Sequence, residues 1–237
     1  MLDLATRLRD LPERRGEAPW PGHEYVRGWG VFGLPFDSGH ILALRVFPDN
    51  SFGPYRSVWH RDPDGRWSIF VDGDRVDTAC PRYFGAACGY TGLAAIEVTW
   101  TGPASVRVTV DDPALEWTFT ATETPALRLP NALGPRLPLR TWRSRSLLRA
   151  REIAAAALGM GSLRMSGTMP SGHYGTLMPE QMYLITAASA VLDGQDLGNP
   201  VRLAENPVIG AVALPARGVL AIGGGMWRIR TPDVSAR

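Results

Sequence analysis

The chain has 237 residues, of which 45% are hydrophobic and 20% charged, with a formal net charge of only +2. These proportions are typical of a globular protein with its own core, because a chain of this length hides about 70% of its unfolded surface on folding. All 25 basic residues are arginine. Without a lysine amine, Schiff-base chemistry, a pyridoxal phosphate aldimine and a Walker-type phosphate loop are excluded.

Residues 1–24 are predicted to form a short helix, at 2–11, followed by a polar loop. Alternation of apolar and polar residues then predicts strands bounded by turn residues, at 25–31, 40–47, 56–61, 66–72, 93–100, 105–110 and 115–121. The sequence Asp62-Pro63-Asp64-Gly65 is typical of a type I turn closed by a left-handed glycine, so the flanking strands form a hairpin. Successive hairpins of this kind predict an antiparallel meander.

A helical insert at 125–160 is predicted to interrupt the meander. Its second part, 139–160, is rich in Ala, Leu and Arg and contains no proline, which predicts one helix of about five turns. We expect Leu147, Ile153 and Met160 to pack on the sheet while the arginines face solvent. Strands resume after the insert, at 162–169, 182–190, 208–213, 218–222 and 227–230. The chain is therefore predicted to be a single mainly β domain, 1–237, whose antiparallel sheet closes or nearly closes into a barrel, since closure removes exposed edges.

Known cofactor and metal motifs are not convincingly present. The stretch 28–33 fits the dinucleotide-binding pattern GxGxxG, but Pro35 stands where the required helix would run, so a glycine-kinked strand is favoured. Cys80 and Cys88 do not have the spacing of a zinc site. We therefore predict neither a metal nor a cofactor.

The arginines between 136 and 151 form the densest basic patch, which fits either a solvated helix face or a surface for anions or membranes. Only Trp142 lies among them, whereas a nucleic-acid groove needs interleaved aromatics, so no nucleic-acid partner is predicted. No apolar stretch reaches the roughly 20 residues that span a bilayer, and no secretory signal is recognised. We expect a cytoplasmic protein with reduced thiols and no integral membrane span; the sequence assigns no oligomeric state.

Four local patterns carry a resemblance to a known family. They are the hairpin at 57–70, the run Cys80-Pro81-Arg82-Tyr83-Phe84-Gly85, the turn Trp100-Thr101-Gly102-Pro103 and the turn Asp196-Leu197-Gly198. Together they are similar to an uncharacterised bacterial family, which in turn resembles the lipocalin-like β-barrels that include carotenoid hydratases and related cyclases. The resemblance implies a lipocalin-like barrel. It leaves the activity open, because no catalytic motif of the hydratases can be placed on this sequence.

His60 is the first candidate for acid–base work. Its expected position is opposite or nearly opposite Trp67 across the hairpin, where desolvation would move the pKa of the imidazole; the alternative is a structural histidine between aromatic neighbours. Asp62 and Asp64 alternate with His60 like metal ligands, but both aspartates are assigned to the turn, so metal binding is not favoured. Tyr83 and His173 are the alternate catalytic candidates.

A methionine-rich segment at 160–182 is either part of the core or one wall of an apolar pocket, with His173 and Tyr174 at its mouth. Glu116, like Glu97, interrupts an apolar strand and either faces water or points inward as a functional carboxylate. The predicted ligand-binding residues are Trp59, Trp67, Trp100, Glu116, Met165, Met169 and Tyr174.

The function predicted first is binding of an apolar small molecule, such as a lipid, isoprenoid or polyketide, inside the barrel. The alternative is a cofactor-independent hydratase, isomerase or cyclase that acts on such a molecule by acid–base catalysis. A third possibility, an interaction protein, is supported only by the arginine-bearing helix.

Overall fold

The computed structural model describes residues 2–229 and confirms a mainly β protein, with 44% strand and 20% helix. The helices are α1 (Ala5–Leu8), α2 (Ala79–Phe84), α3 (Pro125–Leu133) and α4 (Arg145–Ala155). The strands are β1 (Arg14–Arg15), β2 (His23–Pro35), β3 (Ile41–Asn50), β4 (Tyr55–Arg61), β5 (Trp67–Asp72), β6 (Tyr90–Leu93), β7 (Ile96–Trp100), β8 (Ser105–Val110), β9 (Leu115–Thr122), β10 (Ser166–Thr168), β11 (Tyr174–Leu192), β12 (Gln195–Asp196), β13 (Val208–Ile209), β14 (Val212–Ala213) and β15 (Val219–Arg228).

All strands except β13 and β14 belong to one large sheet that curls into an open half-barrel. Its main path runs β6-β5-β4-β3-β2-β15-β11-β9-β8-β7. Most neighbours are antiparallel, but β6 joins β5, and β1 joins β3, in parallel. Of the expected closed or nearly closed barrel the structure shows the curl, but the sheet is open, because within residues 2–229 the two end strands, β6 and β7, each pair on one side only. They are nevertheless consecutive in the chain, so the two ends of the sheet meet at one corner without forming a ladder.

The predicted hairpin between β4 and β5 is confirmed. The backbone N–H of Asp62 donates to the carbonyl of Arg66 at 3.0 Å, and the Asp62 carboxylate accepts from the Arg66 N–H at 2.8 Å. Gly65 has a φ of +90°, the left-handed conformation that its position in the turn requires. The two aspartates therefore serve the turn, as expected.

Two strands run further than their sequence patterns indicate. The predicted strand 182–190 is the end of β11, and the separate predictions 218–222 and 227–230 form the single strand β15, which continues through Gly223–Gly225. Residue 230 lies outside the described residues. Gly225 is needed within β15, since a Cβ there would lie 2.7 Å from the Trp227 ring.

The inside of the curl is filled by one hydrophobic cluster. Side chains from strands near both ends of the sheet meet there, among them Leu44 and Val58 from one end and Trp117 and Phe119 from the other. The helix α1 adds Leu8 to the same cluster. We call this side of the sheet the inner face. A cavity of about 240 Å³ borders its cluster and is lined in part by Leu8, Trp29, Val98 and Trp100.

The opposite side, the outer face, is covered over β2–β5 and β15 by a second layer. This covering layer consists of α2, which lies in the crossover between β5 and β6, and of the segment with β13 and β14. Trp67 holds the segment in place, because its Nε1–H donates to the carbonyl of Val208 at 2.7 Å. The parallel β5–β6 pair requires a crossover, and the crossover provides the cover.

The helical insert differs from its prediction. The expected single helix 139–160 consists of a 3-10 turn (Leu139–Arg143), α4 and a terminal π turn (Ala156–Met160). The helix α4 starts at Ser144, whose side chain accepts from the Leu147 N–H at 3.4 Å.

Because α4 begins after Ser144 and not at 139, side chains other than the predicted ones face the sheet. Leu148, Ala155 and Met160 are buried, whereas Leu147 and Ile153 are 45% and 59% exposed. The expectation that Leu147 and Ile153 pack on the sheet is therefore wrong, and that for Met160 is confirmed. Among residues 2–229, no helix has both the length and the apolar character to cross a bilayer.

Candidate functional site

His60 lies on the inner face and not beside Trp67. The β4–β5 register pairs Arg61 with Trp67 and His60 with Ser68, so alternation sends His60 and Trp67 to opposite faces. Its partner is His40, whose Nδ1 lies 2.8 Å from His60 Nε2. Burial, and then the neighbouring His40, lower the pKa of His60 to about 4. The pair thus shares one proton at this contact, and His60 is neutral at physiological pH.

Tyr83 and His173, the other two catalytic candidates, are brought together at α2. Their rings meet edge to face at 5.1 Å, and the Tyr83 hydroxyl donates to Glu24. Burial, together with this hydrogen bond to Glu24, raises the pKa of Tyr83. Glu24 also receives two hydrogen bonds from Arg82, at 2.9 and 3.0 Å. The other side of the Tyr83 ring stacks on Trp227 at 4.4 Å.

A cavity of about 40 Å³ lies between the outer face and the covering layer. We call it the first cavity. It is predominantly apolar, and it is lined by Val26, Gly28, Trp29, Phe32, Arg45, Phe47, Trp59, Ala79, Cys80, Phe84, Leu177, Met178, Pro179, Val212, Leu214, Ala221, Ile222, Gly223, Gly224, Gly225 and Trp227. Of the ligand-binding residues predicted from sequence, Trp59 lies in this wall.

A second cavity of about 50 Å³ adjoins the first on the side of the helical insert. Five residues line both cavities: Phe32, Leu177, Pro179, Leu214 and Ala221. The remainder of the second wall includes three methionines, Met160, Met165 and Met182, together with the exposed Arg164. The predicted role of Met165 as a pocket wall thus has a matching position, and thioether side chains adapt readily to different shapes.

Arg45 is the one charged residue among the residues that line the first cavity. It lies two residues after Ala43 on β3, so both side chains point to the outer face, and it is only 5% exposed. Its guanidinium carbon lies 4.4 Å from the centroid of the Phe32 ring and 4.8 Å from that of Trp59. Desolvation by burial lowers the pKa of Arg45 to about 10, so the group remains a cation at neutral pH.

Cys80 belongs to a buried polar chain beside Arg45. Its Sγ accepts a hydrogen bond from Ser57 at 3.3 Å and lies 3.4 Å from the Tyr55 hydroxyl. Trp59 donates to the same Ser57 hydroxyl at 3.1 Å. Burial raises the pKa of Cys80 and of Tyr55, so both are protonated and neither supplies a negative charge to Arg45.

The remaining predicted ligand-binding residues lie away from both cavities. Met169 and Trp67 pack in the cluster beneath the covering layer, whereas Trp100 contacts Trp29 at 5.2 Å at the inner face. Tyr174 is 51% exposed. Glu116 faces solvent, with a side chain 57% exposed and an ion pair to Arg107 at 3.0 Å.

A larger open cleft, of about 980 Å³, lies between α1, α3 and the adjacent strands. Its polar groups bind one another: Arg7 donates to Gln181 at 2.5 Å and to Tyr183 at 3.3 Å. Asn131 in turn donates to Glu123 and accepts from the backbone of Met182. These bonds make the cleft a polar junction between the insert and the sheet, so we favour the outer-face cavities as the site.

Sequence reasoning missed Arg45 and Trp227. Arg45 had a recognisable signal, since it interrupts the apolar stretch 41–47. The glycine pattern 28–33 is part of the continuous strand β2, as expected; a Cβ at Gly30 would lie 2.1 Å from the carbonyl oxygen of Leu44. Within residues 2–229, no group of three His, Cys, Asp or Glu side chains is arranged to hold a metal ion.

Comparison with known protein families, with curated proteins and with solved structures finds no match to this chain. The resemblance to lipocalin-like proteins therefore stays a prediction. The chain's outer-face cavities, with one buried arginine in their wall, are the feature on which a function is argued.

Proposed function

We propose that the protein binds an apolar small molecule in the two adjoining cavities of its outer face. The observation that carries this proposal is the shared wall of Phe32, Leu177, Pro179, Leu214 and Ala221, which sets two apolar spaces directly side by side. Lipids, isoprenoids and polyketides are the ligand classes that fit such a lining. We place this activity in a lipocalin-like β protein of the cytoplasm, where the free thiols of Cys80 and Cys88 would stay reduced.

Space for a ligand of ordinary size has to come from side-chain movement, because the two cavities as they stand hold only a few water molecules. Methionine supplies that freedom. Met178 lines the first cavity, and Met160, Met165 and Met182 line the second. A flexible thioether wall yields to a ligand at lower energetic cost than a wall of β-branched residues.

The alternative, a cofactor-independent hydratase, isomerase or cyclase, has one supporting contact. Tyr83 stacks on Trp227, and Trp227 lines the first cavity. Neither His60, Tyr83 nor His173 is itself among the lining residues. Binding is therefore favoured over acid–base catalysis. If a substrate is found and the variants His60→Gln, Tyr83→Phe and His173→Gln each convert it at the parent rate, none of the three residues is the acid or base.

Native mass spectrometry of the purified protein tests the proposal directly. We expect a co-purifying apolar molecule or, failing that, a rise in melting temperature with members of a lipid and terpenoid panel. Ala221→Phe fills the shared wall and should abolish binding, whereas Ala187→Phe, at an exposed position of β11, should preserve it. No binding by the parent protein, or equal binding by both folded variants, would overturn the proposal.

A further inference from the structure

The cationic side chain of Arg45 has no anionic partner among the residues that the structure describes. No carboxylate forms an ion pair with it, and the neighbouring Cys80 and Tyr55 are neutral. Its nearest ring neighbours are the faces of Phe32 and Trp59. A buried charge without a counter-ion is costly, so this position needs an explanation.

Part of the explanation is structural. The β2–β3 register shifts between Val31 and Leu34, and Arg45 donates to the carbonyls of Val31 and Phe32 at this bulge. A third bond runs to the carbonyl of Leu44 at 2.9 Å. A guanidinium has five N–H groups, so two of them have no acceptor within residues 2–229.

One further donor in the same wall lacks an acceptor. Trp227 lines the first cavity, and its Nε1–H is buried without a hydrogen-bond partner in the described chain. Buried indole N–H groups usually find an acceptor. The wall therefore has more donors than acceptors, together with a positive charge, which is the complement of an anionic oxygen group.

We propose that the ligand is an apolar molecule with a carboxylate group, which binds Arg45 in the first cavity while its hydrocarbon part extends into the second. This inference rests on the proposed function and names its ligand class, the aliphatic monocarboxylic acids. A planar carboxylate matches the fork of a guanidinium through two parallel hydrogen bonds. Phe32 contacts Arg45 and lines both cavities, so it lies at the boundary between the carboxylate in the first cavity and the hydrocarbon chain in the second.

The test compares decanoic acid with 1-decanol, which share the apolar chain and differ in the headgroup. Binding is followed by isothermal titration calorimetry and by quenching of tryptophan fluorescence. The parent protein should bind the acid about 10- to 100-fold more tightly than the alcohol, the range expected for hydrogen bonds to a charged group. Arg45→Met should remove this preference and retain alcohol binding, while the exposed Arg107→Met should behave like the parent.

The outcomes separate this inference from the proposed function. Equal affinity of the parent protein for acid and alcohol would overturn the carboxylate inference and leave the apolar site intact. Binding of neither ligand, and of no other member of the apolar panel, would overturn the proposed function itself. If Arg45 only bound the carbonyls at the β2 bulge, its remaining N–H groups would not contact a ligand. The parent protein would then bind decanoic acid and 1-decanol with equal affinity.

A second measurement applies if Arg45→Met does not fold. Decanoic acid labelled with ¹³C at the carboxyl carbon is titrated by NMR while bound to the parent protein. Contact with the guanidinium should lower the pKa of the bound carboxyl group below that of the free acid. A bound pKa equal to or above the free value would contradict the inference. Trp227→Phe, which keeps an aromatic ring but removes an N–H, should weaken acid binding several-fold with little change for the alcohol.

Discussion

The two faces of the curled sheet differ in what packs against them. The inner face is filled by large side chains such as Trp117, Phe119 and Leu44, which come from strands distant in the sheet and meet within the curl. The outer face is covered instead by short, separate pieces, and two apolar cavities and a buried arginine remain beneath them. Large side chains from distant strands thus stabilise the inside of the curl, whereas outside it a buried cation lies beside apolar cavities, the chemistry that a ligand with an anionic group would need.

The largest expected effect comes from the same substitution on each face. Leu44→Ala on the inner face should lower the free energy of unfolding by about 3–5 kcal/mol, since it opens a void in close-packed surroundings. Leu177→Ala on the outer face should cost only about 1–2 kcal/mol, because this partly buried side chain already borders two cavities. Urea denaturation measures both values. Equal losses would mean that the faces do not differ in packing.

The histidine pair of the inner face predicts a dependence of stability on pH. The pKa of His60 is about 4 in the folded protein against an ordinary value of 6.5, so on acidification the unfolded chain takes up the proton first. Stability should therefore fall by about 1–2 kcal/mol between pH 7 and pH 5 on account of this half-buried ring. In His60→Gln this part of the loss should disappear. The matched variant His23→Gln should retain the parent profile, and identical profiles for all three proteins would rule out the effect.

The insert that covers part of the outer face depends on a helix cap. Ser144→Ala removes the acceptor for the Leu147 N–H and should cost about 0.5–1 kcal/mol of stability. Thermal unfolding monitored by circular dichroism measures the change. Ser146→Ala, two residues further at an exposed position of the same helix, is the control and should be nearly neutral. A neutral Ser144→Ala would show that the insert does not rely on this cap.

The smallest effect is expected where the outer face has no cover. Glu116→Gln breaks a solvent-exposed ion pair with Arg107 and should change stability by less than about 0.5 kcal/mol. Ligand affinity should also stay the same, because Glu116 lies outside both cavities. Calorimetric titration of the variant checks the second point. A clear loss of affinity would return Glu116 to the site that its sequence pattern suggested.

Local patterns predicted the sheet well where turn chemistry is strong. The hairpin around Asp62–Gly65 and the strand β8, whose bounds match the prediction, depend on residues close in the chain. The sequence left open whether the sheet closes or nearly closes into a barrel, because closure depends on whether β6 and β7 pair, and no local pattern encodes that. The single helix at 139–160 failed for a related reason: the cap at Ser144 sets which residues face the sheet.

The site was harder to predict than the fold. Trp59 and Met165 were expected at a ligand and do line the cavities, since large apolar residues are readily recognised. Arg45 was not singled out among the 25 arginines, although it interrupts an apolar strand, which is the pattern that made Glu116 a candidate. A charged side chain within an apolar strand points to the core or to solvent according to the strand register. Here the register is set by two bulges in the β2–β3 pairing, which the sequence around Arg45 does not reveal.

The central claim is that the ligand site lies on the outer face, beside Arg45. A crystal structure of the complex with a fatty acid brominated at its terminal carbon tests this claim most directly, because anomalous scattering locates the bromine independently of the protein. We expect the carboxylate at the Arg45 guanidinium and the bromine peak among Met160, Met165 and Met182. A bromine peak inside the curl of the sheet, or in the polar cleft beside α1, would contradict it.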